Sequence, residues 1–541
     1  MNNVRNVLLG SAAAIVAASA ASAADLPSRK SEPASYVKIC DAYGEGFFFI
    51  PGTDTCLHIG GLARAEYGYG SPSNIYTLAS YSATGGTNAA TQLLGGVASG
   101  KNISFIPSNV LDVSGFQGRG LISADARTAT GYGVARTYVS IRALNGTGIY
   151  TGADNYATGS FTGQAGGVAL TLEQAIVQFA GFTFGRTTRD VFSFMPGVPL
   201  GSFSQSSYAG ATNVLAYQTT FGGGFSGSIA LEDRSGQSSS TAPGYIDFGP
   251  GGAVAPAGSF TGAASTVGGA VTNGPLTYPA LAANLRVEQS WGAAQVMALT
   301  QQNSASTAYA TGAAGSPNVT LTKQGYAVGA GLKINLPMIA PGDVIHATAA
   351  YADGDIVQLQ SFGSSAVTSG FGREVGGLMR QDRDLYVMPS GAACTATTMN
   401  AGCFNTESTK GWSTAVYFNH FWTPTLRQWV FFSYLTMTPG TQTRNTDWTL
   451  GGLSKFSLTR IGTQTVWSPV KDMDIAGEIE FVKLDQKFAA TSVANGGTGI
   501  ATCQAGGPGF GSAACNNLKI GGPNSAGGSD IEARMRVERR F

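Results

Sequence analysis

The stretch from Ser529 to Phe541 reads SDIEARMRVERRF. Ile531, Ala533, Met535, Val537 and Phe541 fall on one parity, and Glu532, Arg534, Arg536, Glu538 and Arg540 on the other. Successive strand side chains point to opposite faces, so this segment has one apolar and one charged face. Its length suits a tilted strand standing between hydrocarbon and water. A soluble sandwich strand alternates too, and the rest of the chain has to decide. Arg539 interrupts the apolar face only near the chain end, where a charge costs little compared with roughly 2 to 4 kcal/mol at a bilayer midplane. Phe541 fits the terminal aromatic residue with which outer-membrane barrels signal to the barrel assembly machinery.

The same design recurs upstream. From Leu57 to Tyr69, residues Leu57, Ile59, Ala63, Ala65, Tyr67 and Tyr69 oppose His58, Arg64 and Glu66, with the two tyrosines placed for an interfacial girdle. Ala135, Thr137, Val139 and Ile141 oppose Arg136, Tyr138, Ser140 and Arg142, and Leu285 and Val287 oppose Asn284, Arg286 and Glu288. Val328, Ala330, Leu332, Ile334 and Leu336 oppose Lys333 and Asn335. Charge keeps landing on one parity, which is what a wet lumen requires.

Composition narrows the class. Charged residues are only 12% of the chain, about half the usual share of a soluble protein, while it carries 76 glycines and 10% aromatics. The opening MNNVRNVLLGSAAAIVAASAASA has one charge, an apolar run from Val7 to Ala18 and small residues at Ala21–Ala23, the plan of a secretory signal peptide, residues 1–23. Its apolar part is shorter than the roughly 20 residues of a spanning helix. Without it the chain has 31 basic and 31 acidic side chains, which argues against nucleic acid as a partner. No later segment offers about 18 consecutive apolar residues, so a membrane location leaves the closed barrel, in which every backbone group is paired.

Short breakers at Thr130-Gly131, Gly181, Phe221 to Gly224, Trp291-Gly292, Pro337 to Gly342, Thr423-Pro424 and Trp467 to Asp474 alternate with long polar connections. The long ones run approximately over 70–111, 145–167, 189–211, 234–279, 303–322, 353–410, 438–453 and 487–527. Seven short and eight long connections imply an all-β transmembrane antiparallel barrel of 16 strands, with short periplasmic turns and long external loops. One barrel domain fills residues 24–541, its first part, 24–56, being a leader.

Six cysteines form three local couples, Cys40 with Cys56, Cys394 with Cys403 and Cys503 with Cys515, preferred because short loops close cheaply in an oxidising compartment. None has histidine at metal-site spacing, so no metal is expected. The only histidines, His58, His346 and His420, lack the sequence context of a nucleophilic site, and no phosphate-loop lysine follows the glycine pairs. Neither enzyme activity nor a cofactor is expected. A secreted β-rich adhesin and a substrate-specific channel remain as alternatives; the first would extract without detergent, the second would bind a ligand tightly.

The runs YVKICDAYGEGFFFIPGTDTCLHIGG from Tyr36, GLKINLPMIAPGD from Gly331, WSTAVYFNHFWTPTLR from Trp412 and IGTQTVWSPVKDMDIAGEIEF from Ile461 resemble the alphaproteobacterial porin family of rhizobia and brucellae. The resemblance implies a trimeric, 16-stranded general diffusion pore for small hydrophilic solutes in the Gram-negative outer membrane, amid lipid and lipopolysaccharide. It also implies an inward-folded third loop: QFAGFTFGR, Gln178 to Arg186, resembles the strand pair entering that loop, which assigns the constriction to residues 189–211.

That loop departs from the usual acidic pattern, since Asp190, beside Arg189, is its only acid. The expected pore lining is therefore Asp190 and Arg189 with wall residues Arg64, Glu66, Arg119, Arg127, Arg136, Arg142, Arg186, Arg286, Glu288, Arg534 and Arg536.

Overall fold

The structure, a computed structural model, describes residues 38–70, 77–82, 102–106, 113–150, 168–188, 191–194, 212–233, 270–273, 275, 277–308, 319–359, 384–389, 400–438, 440, 455–487 and 525–541. The signal peptide, Arg189 and Asp190 lie outside these residues, as do Cys394, Cys503 and Cys515.

Sixteen strands make one closed wall: β1 (Thr55–Gly70), β2 (Ser114–Thr130), β3 (Gly133–Gly146), β4 (Val168–Phe179), β5 (Phe182–Thr187), β6 (Thr212–Gly222), β7 (Phe225–Asp233) and β8 (Ala280–Gln289). They continue as β9 (Gly292–Ala308), β10 (Val319–Asn335), β11 (Val344–Asp353), β12 (Lys410–Thr423), β13 (Leu426–Thr438), β14 (Lys455–Val470), β15 (Met473–Lys487) and β16 (Ser525–Arg540). Each pairs antiparallel with the next, and β16 returns to β1 from Leu62 opposite Arg540 to Gly70 opposite Glu532. Closure pairs both edges of the sheet, which a wall in lipid demands. No described helix is long and apolar enough to cross a membrane.

The seven short connections stand where the breakers predict, all at one rim. Two are tight enough to need positive φ at adjacent residues: Ala180 and Gly181 (φ 50° and 85°) and Gly223 and Gly224 (59° and 82°). Such mirror-image turns match the twist of the strands they join. At this rim Tyr132, Phe179, Phe221, Trp291, Trp422 and Trp467 project outward, and at the other rim Tyr67, Tyr69, Phe116, Tyr326 and Trp412 do so. Between these girdles the outer face carries Ile122, Ile229, Leu285, Val296, Val430 and Ile479. The outer surface is thus an apolar band between two aromatic belts.

The start of the described chain completes the seam. Phe48 and Phe49 pair with Leu57 and Cys56 on β1, on the side where β16 has already ended. Phe541 exchanges two backbone hydrogen bonds with Gly61, 3.0 and 3.1 Å. A side chain at Gly61 would run into the Phe541 ring and the Leu121 carbonyl, so only glycine admits the chain end here. A disulfide joins Cys40 to Cys56, as their spacing predicts. The described part of the leader, from Lys38 onward, is therefore latched to the first barrel strand by a short strand and a disulfide.

Candidate functional site

The inner wall is built from the second parity of each strand, and it has two unlike halves. On the β14–β16 and β1–β4 side it is charged. Arg64 Nε donates to Glu538 (2.7 Å), and Arg536 Nε donates to Glu66 (2.6 Å), with Arg534 at 3.7 Å from the same carboxylate. Tyr150, in the turn after β3, donates to the other Glu66 oxygen at 2.8 Å. Burial, and then Glu66 beside it, push the Tyr150 phenol above its ordinary range, so it remains a donor. Farther around, Arg119 meets Glu173 at 2.6 Å. That contact needs a bulge: Ser140 pairs with Gln174 and Ile141 with Leu172, which turns the skipped Glu173 inward.

Asp125 receives two guanidinium groups, from Arg127 (2.8 Å) and from Arg136 (2.9 Å). Arg127 also covers the rings of Phe47 and Tyr43 in the leader, 4.9 and 5.7 Å from their centroids. Arg286 pairs with Glu288 at 3.0 Å. Arg142 and Lys333 share the inner parity but have no carboxylate partner among the described residues, and the buried Nε of Arg142 has no hydrogen-bond partner.

The β8–β13 half carries fewer ion pairs, more apolar side chains, and is partly covered by connections. Residues 191–194, from the third long connection, lie inside the barrel. Val191 N–H donates to Glu232 (2.8 Å), Asn284 donates to the Val191 carbonyl (2.7 Å), and Gln295 donates to the Ser193 carbonyl (3.2 Å). Phe192 and Phe194 are buried against inner-face residues including Ala282, Met297, Ala327 and Ala350. Glycines on β10 make room for them: a Cβ at Gly329 would sit 3.0 Å from the Phe192 ring, and one at Gly331 would overlap Phe194. Arg286 stands over the Phe194 ring, 5.2 Å from its centroid. A second inward element, Ile356–Leu359 from the sixth long connection, packs in the same cluster beside Leu435, Met437 and Leu458.

Of the residues expected from sequence, Arg64, Glu66, Arg119, Arg127, Arg136, Arg142, Arg286, Glu288, Arg534 and Arg536 all stand on the inner parity, most of them in ion pairs. Arg186 does not. It is registered opposite Ala175 and Asn213, on the outward parity of Phe184 and Leu215, and its Nε donates to the Leu172 carbonyl at 3.1 Å. It ends β5 at the long-loop rim, where an outward guanidinium meets polar surroundings rather than hydrocarbon. Sequence reasoning missed Glu478, Glu480 and Arg460, which with Glu532 of the charged face of β16 form a buried inner group on β14–β16 in which Arg460 meets Glu480 at 3.3 Å. Alternation along IAGEIEF, Ile475 to Phe481, carries the signal that finds the first two.

A closed barrel with an apolar exterior, a charged inner wall and an inserted connection defines a pore-type outer-membrane protein. A family model described as a porin subfamily matches residues 25–504, and the chain belongs to that family. Porin Omp2b of Brucella abortus (strain 2308) is 32% identical over 254 residues, 45% of this chain and 59% of that protein. Porin Omp2a of Brucella ovis is 51% identical over 76 residues, 14% of this chain and 21% of that protein. The matched stretches therefore span less than two thirds of these relatives' own length. Among solved structures, the outer membrane channel DcaP of Acinetobacter baumannii aligns over 91% of this chain and 99% of its own, at 13% identity and a TM-score of 0.47. The protein is an outer-membrane β-barrel of a Gram-negative cell.

Proposed function

We propose that the barrel is a general diffusion porin, a water-filled channel through which ions and small hydrophilic solutes pass passively, working as a homotrimer. The observation that carries this reading is the seating of residues 191–194 on the inner wall. It supports residues 189–211 as the constriction, because a connection anchored inside the barrel takes up part of the lumen and leaves a reduced passage beside the charged wall. Fixed charges along such a passage bias which ions enter it. Ion pairing neutralises most of the wall locally, so the expected selectivity is weak.

Purified protein in planar bilayers should give stepwise conductance, and liposomes containing it should swell in small sugars faster than in large ones. Retention of small sugars by such liposomes would defeat the proposal. Chemical crosslinking in detergent should trap three subunits, and a monomer alone would remove the trimer.

A further inference from the structure

The leader reaches beyond the edge that it pairs with. Phe48 and Phe49 already fill the part of β1 left by β16. What precedes them turns to the lumen side. Cys56 and His58 are the cross-strand partners of Arg127 and Asp125, which stand on the inner parity, so the disulfide ties Cys40 to the inner face of β1. Phe47 lies on His58, ring centroids 5.2 Å apart, and a Cβ at Gly46 would come within 2.8 Å of the same imidazole. Tyr43 lies one strand farther round, its ring centre 5.7 Å from the Arg127 guanidinium carbon. In the other direction Glu45 meets Lys471, in the turn between β14 and β15, at 3.5 Å. Residues 40–47 therefore run along the short-turn rim from β2 past β1 and the end of β16.

This tip has a buried and an open side. Cys40, Phe47 and Cys56 form an apolar cluster under it, with Tyr43 and Phe49 packed alongside, and the Cys40 N–H donates to the Phe47 carbonyl at 2.9 Å to close the loop. Asp41, Ala42, Gly44 and Glu45 are exposed. With the wall beneath, the exposed side faces the opening of the barrel. Its charge differs from that of the wall it covers. Asp125 accepts from two guanidinium groups, which leaves that corner net positive, whereas the tip brings two carboxylates and no basic residue. The Tyr43 and Phe47 rings also cover part of Arg127. A leader that served the seam alone would need neither the loop nor its covalent pin.

We propose that the leader tip, residues 40–47, is a second narrowing of the passage at the periplasmic mouth, pinned by the Cys40–Cys56 disulfide, and that its carboxylates favour cations at that exit. The inference deepens the porin reading and rests on it.

The test uses the full barrel in planar bilayers, with conductance read in 1 M KCl and reversal potential across a KCl gradient. Cys40→Ser/Cys56→Ser removes the pin, and Tyr43→Ala/Phe47→Ala removes the rings that seat the tip. Both should give a larger and noisier current level than the parent and move the reversal potential toward anions. Ala42→Trp adds bulk on the open side and should lower the conductance. Asp41→Asn/Glu45→Gln keeps the shape, so it should retain the conductance and move only the reversal potential toward anions. That shift should fade between 0.1 M and 1 M salt, over which the screening length falls from about 10 Å to about 3 Å. Ala42→Trp and the ring variant keep the disulfide, so the decision stands even if loss of the cysteines prevents folding. Parent-like conductance in those two folded variants, with or without a lowered unfolding temperature, makes the leader a seam fastener and overturns the proposal while leaving the porin. A parent-like reversal potential in Asp41→Asn/Glu45→Gln overturns the assigned charge effect. Absence of conductance in the parent protein overturns the porin reading, and this one with it.

Discussion

Phe194 offers the sharpest handle on the inserted segment, because two substitutions, one in the segment and one on β10, should unseat it by different means. Phe194→Ala removes the ring that packs on the inner wall and lies under Arg286. Truncating a buried phenylalanine costs about 3 to 5 kcal/mol, a figure that includes a cation–π contribution of order 1 kcal/mol. Gly331→Ala leaves the ring in place but fills its seat, since a Cβ there overlaps Phe194. Three hydrogen bonds to Val191 and Ser193 remain in both variants, each contributing about 1 kcal/mol. At about 1.4 kcal/mol per tenfold, loss of about 3 kcal/mol shifts the ratio of seated to released segment by roughly a hundredfold. Single-channel recordings should therefore show a new, larger and noisier current level in both variants, and a still larger steady level in Phe192→Ala/Phe194→Ala. The strand pairing of the wall is retained, so strand content by circular dichroism should match the parent. Parent-like conductance in all three folded variants would refute the idea that this segment narrows the pore, and would transfer the role to the connection carrying Ile356–Leu359.

The remaining expectations follow from the two faces of the wall and its seams. Leu285→Arg and Ile479→Arg put a cation on outward positions that are 60% and 52% exposed, at a cost of roughly 2 to 4 kcal/mol in lipid, and should impair membrane insertion, whereas Arg286→Leu should insert normally; equal heat-modifiable gel mobility of all three would contradict the face assignment. Glu66→Gln strips Arg536 and Arg534 of a buried partner and should lower unfolding stability in detergent by about 3 to 5 kcal/mol, against about 1 kcal/mol for Tyr150→Phe. Arg142→Gln with Lys333→Gln should move the reversal potential across a salt gradient toward cations by more than Arg286→Gln, whose charge Glu288 already offsets. Non-reducing peptide mapping should recover Cys40 linked to Cys56, and should find Cys394 with Cys403 and Cys503 with Cys515.

Strand number and faces were legible because lipid enforces alternation on the outer side whatever the lumen does. Leu285 and Arg286 reveal their faces without knowledge of any neighbour. The short turns were legible for a related reason, since positive φ at Gly181 and Gly224 leaves a glycine in the sequence. The β12–β13 stretch was less transparent: Tyr417, Trp429 and Phe431 are inward yet aromatic, so both faces read as apolar. Parity fails as a guide wherever the lumen is covered. Nor does Phe192-Ser193-Phe194 announce its seat, which depends on Gly329 and Gly331 more than a hundred residues away. Arg186 misled because its side depends on the register of β5, not on its charge.

The seam between the two ends of the chain has a consequence for how the barrel finds its final alignment. A slip of one residue at β1–β16 would turn charge into lipid, but a slip of two keeps every face correct and must be rejected on other grounds. In the native register Arg64 meets Glu538 and Glu66 meets Arg536. Sliding two residues one way sets Arg64 against Arg536; sliding the other way sets Glu66 against Glu538 and Arg64 against Arg540. Either misalignment brings like charges together across the strands, which is unfavourable. The order of signs along these two strands acts as a lock and its key, so that the last join of the cylinder is accepted in one position and refused in its nearest alternatives.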